Sequence, residues 1–140
     1  MKTRRIIQPR TAIILLILGL LFYFHSAHAQ PSSNSGLIKE RRFPRLMNKE
    51  NVIVLDVRTL EEYKTEHIPQ SKLIDVQQKG FVDSIQTLTK NKTYLIYCRS
   101  GKRSQIALNL MKENGFKRVY HLKGGMIDWS GPKETRSIGK

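Results

Sequence analysis

The stretch "TYLIYCRSGKRSQIALNLMKENG" (residues 93–115) contains an apolar run, a basic loop and a segment of helical spacing, in that order. The run at residues 93–98 is typical of a strand that is buried on both faces. At residues 104–114 the apolar positions recur at helical spacing, which predicts a helix that ends at Gly115. The stretch therefore predicts a strand, a turn and a helix, with the single cysteine of the chain, Cys98, at the end of the strand.

The rest of the chain repeats this alternation of short apolar runs and helical segments. Thr59 and Glu62 have the spacing of a capping box, which predicts that a helix begins there. Short strands that alternate with helices are typical of an α/β fold, with a small and mostly parallel sheet flanked by helices. Residues 37–48 are ambiguous, and we interpret them as an irregular helix interrupted near Pro44. Further strands are predicted at 51–57, 72–76 and 118–122, and further helices at 59–63, at 81–88 and around Trp129.

Residues 1–29 have the three parts of a secretory signal peptide. A basic start precedes thirteen apolar residues at 12–24, and "AHA" supplies small residues for a cleavage just before Gln30. Because a membrane span usually needs about 20 apolar residues, we favour a cleaved signal over a membrane anchor formed by residues 12–24. We therefore expect a periplasmic or secreted protein, with a linker at 30–36 and one domain at 37–140. The membrane is a partner only if the signal is uncleaved.

The chain is strongly basic, with 25 Lys and Arg against 11 Asp and Glu in 140 residues. Residues 1–29 hold four of these cations and none of the acidic residues, so the remainder has a net charge of about +10. Such a charge favours anionic partners, although a solvated basic surface is the simpler interpretation. The basic residues are scattered and no nucleic-acid-binding signature is present, so we expect no nucleic-acid partner.

Cys98 has no second cysteine with which to form an internal disulfide, so it is inert, intermolecular or chemically active. Its position favours activity, because ligands of open α/β sheets bind at the carboxyl ends of the strands. The amides of residues 99–104 are expected to form a concave nest at the start of the next helix. The positive charges of the loop add to this field, and all these features favour a thiolate over a thiol. The three cations are Arg99, Lys102 and Arg103.

The number of residues between Cys98 and Arg103 distinguishes two kinds of chemistry that use such a loop, phosphoryl transfer and sulfur transfer. Cysteine phosphatases have five residues between the cysteine and the arginine that binds phosphate, whereas four residues lie between Cys98 and Arg103. Gly101 allows a tight bend, and a tighter loop suits a single sulfur atom better than a phosphoryl group. We therefore favour sulfur chemistry over a small cysteine phosphatase or an arsenate reductase.

Four segments of the chain resemble, in the right order, the motifs of single-domain rhodaneses, which are thiosulfate sulfurtransferases. The resemblance extends over about residues 52–129 and implies a rhodanese-like domain with an active loop of six residues. Four motifs in order are more specific than any one of them. The segments are "LDVRTLEEY" (55–63), "EHIPQSKLID" (66–75), "YCRSGKRS" (97–104), which matches the active loop, and "LKGGMIDW" (122–129).

This resemblance implies a double displacement through a persulfide on Cys98. The thiolate attacks the outer sulfur of thiosulfate, sulfite leaves, and cyanide, a thiol or a protein thiol then accepts the sulfur. No cofactor and no metal is implied. A non-enzymatic persulfide carrier that uses the same cysteine is the alternative. By the resemblance, the loop amides hold the persulfide and its cations attract the anionic donor, so the substrate-binding residues are Arg99, Ser100, Gly101, Lys102, Arg103 and Ser104.

Other residues near these motifs have two interpretations each. Asp56 and Arg58 either tune the site or form a structural ion pair, and we favour the ion pair. His67 is either a general base or a turn histidine bonded to the backbone, and we favour the turn histidine. Glu66 and Gln70 replace two glycines of the family's second motif, so we expect altered backbone geometry there with little loss of chemistry.

Overall fold

The computed structural model describes residues 36–135, so the expected signal peptide, residues 30–35 of the expected linker and residues 136–140 of the expected domain lie outside the described part of the chain. Gly36, expected to end the linker, begins the first strand. Among the described residues, no helix is both long and apolar enough to span a membrane. The strands are β1 (Gly36–Ile38), β2 (Val52–Asp56), β3 (Lys72–Leu73), β4 (Thr93–Tyr97) and β5 (Val119–Leu122). The helices are α1 (Phe43–Met47), α2 (Leu60–Thr65), α3 (Phe81–Gln86), α4 (Lys102–Glu113) and α5 (Gly125–Asp128), and a 3-10 turn covers Glu40–Arg42.

The five strands form one parallel sheet in the order β1-β5-β4-β2-β3, which confirms the predicted α/β class. The strand that carries the cysteine, β4, is central and pairs with β2 on one side and β5 on the other. The capping box predicted for α2 is also present, with Thr59 and Glu62 bonded to each other's backbone N–H. The local signals of the sequence therefore place the main elements correctly.

Residues 37–48 match their predicted irregular helix only in part, since a 3-10 turn at Glu40–Arg42 leads into the short helix Phe43–Met47. Gly36–Ile38 is an edge strand that pairs with β5, and three residues are too few to show a strand pattern in the sequence. Pro44 does not interrupt a helix, because it lies in the first turn of α1. Its fixed φ and missing N–H suit that position. The first strand is thus a feature that only the folded sheet reveals.

Side chains of β4 alternate between the two faces of the sheet. Tyr94 and Ile96 belong to the core cluster that α3 and α4 cover, whereas Leu95 and Tyr97 belong to the cluster beneath α1 and α5. Cys98 lies on the same face as Tyr94 and Ile96 and packs in the same cluster, which we call the α4 cluster. The thiol therefore faces the helix that follows it in the chain.

Candidate active site

Cys98 follows the last residue of β4, and the loop that leads into α4 folds around its sulfur. Its side chain is 1% exposed. The Gly101 N–H donates to Sγ at 3.1 Å, and the thiol donates to Ser104 Oγ at 3.6 Å. Gly101 has a φ of 93°, which is the tight left-handed bend that a glycine adopts without strain. The loop thus directs a backbone donor and a hydroxyl at the sulfur.

The first turn of α5 holds the other side of this loop. The Met126 N–H donates to the Cys98 carbonyl at 2.9 Å, and the Ile127 N–H donates to the Arg99 carbonyl at 3.0 Å. A Cβ atom at Gly125 would collide with the Cys98 carbonyl oxygen, so only glycine permits this approach. The Cys98 and Arg99 carbonyls are thus bonded to α5, while the Gly101 N–H is directed at the sulfur. The segment around residues 122–129 therefore shapes the active loop.

The three cations of the loop do not behave alike. Arg99 and Lys102 are exposed to solvent. Arg103 instead donates to both carboxylate oxygens of Glu62 on α2 at 2.7 Å, and to the side chain of Gln77 at 3.2 Å. These hydrogen bonds from Arg103 lower the pKa of Glu62 to about 2. The expected attraction of an anionic donor by all three cations therefore has to be revised, because the charge of Arg103 is matched by Glu62.

Two surface depressions flank the loop, one on each side. The first has a volume of about 280 Å³ and lies between the loop, α2 and α5. The second lies between the loop, the end of β5 and the edge strand β1. Both depressions contain exposed positive charge, so both are places where a small anion can approach the loop. Arg58, Glu62, Glu66 and Arg99 line the first, and Ser100, Lys102, His121 and Lys123 line the second.

Asp56 and Arg58 form a buried ion pair at the end of β2. The Arg58 Nη2 lies 2.6 Å from Asp56 Oδ2, and the two side chains are 4% and 0% exposed. The same Nη2 donates to the Glu66 carbonyl at 2.6 Å, and the guanidinium lies 5.5 Å from the centre of the Tyr97 ring. These contacts tie the end of β2 to the turn after α2. They support the structural ion pair that we favour over a tuning role.

His67 is a turn histidine, with its ring nitrogen Nδ1 2.9 Å from the Tyr63 carbonyl and its ring stacked on the Tyr63 ring. This geometry supports the interpretation as a turn histidine over that as a general base. Within residues 36–135, no group of three or more His, Cys, Asp or Glu side chains is arranged to hold a metal ion.

In the turn that contains His67, Gln70 has a φ of 62°, in the left-handed region that favours glycine, whereas the φ of Glu66 is −163° and suits any residue. Of the two residues that replace family glycines, only Gln70 therefore strains the backbone, and Glu66 does not.

His121 is the site residue that the sequence interpretation missed. Its Nδ1 lies 3.2 Å from Ser104 Oγ, the hydroxyl that contacts Cys98 Sγ, and burial lowers the pKa of the imidazole. A signal was available in the strand alternation. Val119 packs in the α4 cluster, so the residue two positions later on β5 faces α4 as Cys98 does, and its register partner is Ile96. A polar residue at that position is a candidate for contact with the active loop.

A family profile described as the rhodanese-like domain matches residues 41–132, so the chain belongs to the rhodanese-like family. It is 39% identical over 88 residues to the "Putative sulfur carrier protein YrkF" of Bacillus subtilis, covering 61% of this chain and 45% of that protein. It is 34% identical to the "Putative sulfurtransferase YtwF" of the same organism, covering 63% of this chain and 82% of that protein. The chain thus spans less than half the length of the first relative.

The structure is similar to that of the rhodanese-like domain protein from Staphylococcus aureus. The TM-score is 0.62 at 30% sequence identity, with coverage of 73% of this chain and 99% of that one. Some relatives of the chain have other names. A tRNA uridine(34) hydroxylase from Buchnera aphidicola is 34% identical over 98 residues, which cover 66% of this chain but 31% of that protein. The similarity to that protein therefore concerns only one part of it.

Proposed function

We propose that the protein is a sulfurtransferase that moves sulfane sulfur from thiosulfate, or a related anionic donor, to cyanide or a thiol. Membership of the rhodanese-like family supports sulfur transfer in general. The proposal rests above all on the contacts of Cys98, which is the single cysteine of the chain. Its sulfur lies at the carboxyl end of a central strand, where it accepts a hydrogen bond from the Gly101 N–H and its thiol donates one to Ser104 Oγ.

The proposed reaction has two displacement steps on Cys98. In the first, the Cys98 thiolate attacks the outer sulfur of thiosulfate, an S–S bond forms on Cys98, and sulfite leaves with the electron pair of the S–S bond that breaks. In the second, cyanide or a thiolate attacks the terminal sulfur and Cys98 leaves as a thiolate. The Gly101 N–H, at 3.1 Å from Sγ, stabilises negative charge at the sulfur. No outside oxidant or reductant takes part when cyanide is the acceptor.

The charges at the loop support an anionic donor. Arg99 and Lys102 present exposed cations on opposite sides of the loop, each in one of the two depressions. A dianion such as thiosulfate is drawn to such a loop by long-range attraction before it reaches the sulfur.

A persulfide carrier is the second candidate, and the pairing of Arg103 favours it. Because Glu62 matches the charge of Arg103, this loop has less free positive charge than its sequence indicates. A smaller free charge attracts a small anionic donor less strongly, so the pairing favours a cysteine that receives its sulfur from a partner protein. The same pairing counts against a cysteine phosphatase, because Arg103 would have to leave Glu62 to grip a phosphate.

The test is incubation of the purified protein with thiosulfate, followed by intact mass and by a thiocyanate assay after cyanide is added. A sulfurtransferase gains one sulfur atom on Cys98 and releases it as thiocyanate over many turnovers. The matched control Cys98→Ser gains no sulfur and forms no thiocyanate. A persulfide without turnover selects the carrier, whereas retained transfer in Cys98→Ser contradicts the assigned nucleophile.

We propose in addition that the protein works outside the cytoplasm, after cleavage before Gln30. The support is the pattern of a basic start, a short apolar run and small residues in the first 29 residues. The intact mass of the protein recovered from an exporting host tests this. A mass that includes the first 29 residues contradicts cleavage and favours the membrane anchor.

A further inference from the structure

Three side chains form a hydrogen-bonded row at the active loop. Cys98 Sγ lies 3.6 Å from Ser104 Oγ, and Ser104 Oγ lies 3.2 Å from His121 Nδ1. All three residues are buried, with exposed fractions of 1%, 0% and 5%. The row joins the end of β4, the first turn of α4 and β5. Cys98 and Ser104 belong to the same loop, whereas His121 lies 17 positions after Ser104 and is brought to the loop only by the fold. We call Cys98, Ser104 and His121 the thiol row.

We propose that His121 is a positioning residue that receives the proton of the Cys98 thiol through the Ser104 hydroxyl. The proposal concerns the same cysteine as the proposed function but depends only on its ionisation, whatever the sulfur donor. The row has the order of a nucleophile, a bridging hydroxyl and a base. None of the loop cations can fill this role, because a protonated lysine or arginine accepts no proton.

The proton movements balance within the row. In the thiol form, the Sγ–H donates to Ser104 Oγ and the Ser104 O–H donates to the lone pair on Nδ1. In the ionised form, the Ser104 O–H donates to the thiolate and a protonated Nδ1 donates to Ser104 Oγ. One proton leaves the sulfur and one arrives at the imidazole, while Ser104 stays neutral. The thiolate then accepts two hydrogen bonds, one from Ser104 and one from the Gly101 N–H.

The surroundings of His121 favour the uncharged imidazole as long as Cys98 is a thiol. Burial lowers the pKa of His121, so near neutral pH the ring is uncharged and has a free lone pair. Lys102 from α4 and Lys123 after β5 line the same depression as the ring, and both oppose a second positive charge there. A thiolate on Cys98 is the one negative charge that the row itself supplies. Ionisation of the thiol and protonation of the ring therefore favour each other.

A purely structural arrangement of the same atoms is the competing interpretation. Ser104 Oγ also lies 3.0 Å from the Gly101 carbonyl, so the hydroxyl can donate there while His121 Nδ1–H donates to the hydroxyl. In that arrangement the histidine orders the loop and takes no proton. The two interpretations differ in how the reactivity of Cys98 depends on pH, which makes pH the decisive variable.

The test is the rate at which iodoacetamide alkylates Cys98 as a function of pH. The reagent is uncharged, and Cys98 is the single cysteine of the chain, so the rate reports its thiolate alone. His121→Asn keeps a polar side chain of similar size but accepts no proton at this pH. We expect it to lower the rate near pH 6.5 by about tenfold, while the rate near pH 9.5 stays within about twofold of the unsubstituted protein. The matched control is His67→Asn, since His67 lies outside the thiol row, and we expect it to leave the profile unchanged.

Two outcomes overturn the proposal. If His121→Asn lowers the alkylation rate equally at both pH values, the histidine only orders the loop. If it leaves the rate unchanged, the histidine has no part in the ionisation of Cys98. If His121→Asn does not fold, NMR titration of the His121 ring provides a second measurement. It compares the pH midpoint of the ring in the unsubstituted protein with that in Cys98→Ser. Loss of the thiolate must lower the midpoint of His121 protonation, and identical midpoints contradict the coupling. Neither measurement needs sulfur transfer, so a failure here is distinct from a failure of the proposed function.

Discussion

Two arginine–carboxylate pairs lie beside the active loop, and they differ in burial. In the Asp56–Arg58 pair the carboxylate side chain is 0% exposed and the guanidinium side chain 4%, whereas in the Glu62–Arg103 pair the values are 28% and 22%. The first joins residues two positions apart, and the second joins α2 to α4 across 41 positions. A buried charge without its partner is costly, whereas a half-exposed pair adds little to stability. The first pair therefore maintains the fold, and the second is free to set the charge of the loop.

The substitution Asp56→Asn tests the buried pair and has the largest expected effect. It leaves the Arg58 guanidinium buried without its counter-charge, and we expect the free energy of unfolding to fall by about 3–5 kcal/mol. Urea unfolding followed by circular dichroism measures this loss. The double variant Asp56→Leu with Arg58→Met removes both charges and should regain at least half of it. A loss of less than about 1 kcal/mol in Asp56→Asn would mean that the Asp56–Arg58 pair contributes no more to stability than an exposed ion pair does.

The substitution Glu62→Gln tests the pair at the loop. It leaves Arg103 with an unmatched charge near the site, and we expect the KM for thiosulfate to fall by about three- to fivefold at unchanged kcat, which corresponds to about 1 kcal/mol. Steady-state assays with cyanide as the acceptor measure it. The effect should shrink in high salt, because exposed charges are screened.

The matched control for this substitution is Glu66→Gln. Glu66 lines the same depression, but its carboxylate pairs with Lys133 at 3.2 Å and not with a loop cation. Removing its charge should change the KM by less than about twofold. Equal effects of the two substitutions would mean that only the total charge matters, and that the Glu62–Arg103 contact has no specific role.

Glu62 also shows how far the sequence predicts this molecule. Its place in the capping box with Thr59 follows from a spacing of three residues, and the structure confirms it. Its contact with Arg103 has no local pattern, because it depends on how α2 and α4 dock on the sheet. The same holds for the thiol row: the position of Cys98 at a strand end was predictable, whereas the approach of His121 needs the pairing of β4 with β5. Local signals thus located the nucleophile, and the strand alternation makes His121 a candidate for contact with the loop, whereas packing alone shows which loop cation is matched.

The pH dependence of stability tests the exposed pair with the smallest expected effect. Hydrogen bonds from Arg103 lower the pKa of Glu62 from 4.5 to about 2 in the folded protein, so the unfolded chain binds a proton at Glu62 first as the pH falls. The pair therefore stabilises the fold fully above about pH 4.5, and this contribution is lost as the pH falls towards about 2. Because both side chains are partly exposed, the whole contribution should be below about 1 kcal/mol.

Urea unfolding of the unsubstituted protein and of Glu62→Gln, compared at pH 6 and at pH 3, measures this contribution. The difference in free energy of unfolding between the two proteins should be smaller at the lower pH, because part of the carboxylate in the unsubstituted protein's unfolded state is then protonated. A difference that is the same at both pH values would mean that the cost of Glu62→Gln does not come from the charge of the carboxylate, because only the charge titrates in this pH range. Such a result would leave Arg103 without a measurable partner, and the loop would then have three free cations, as its sequence indicates.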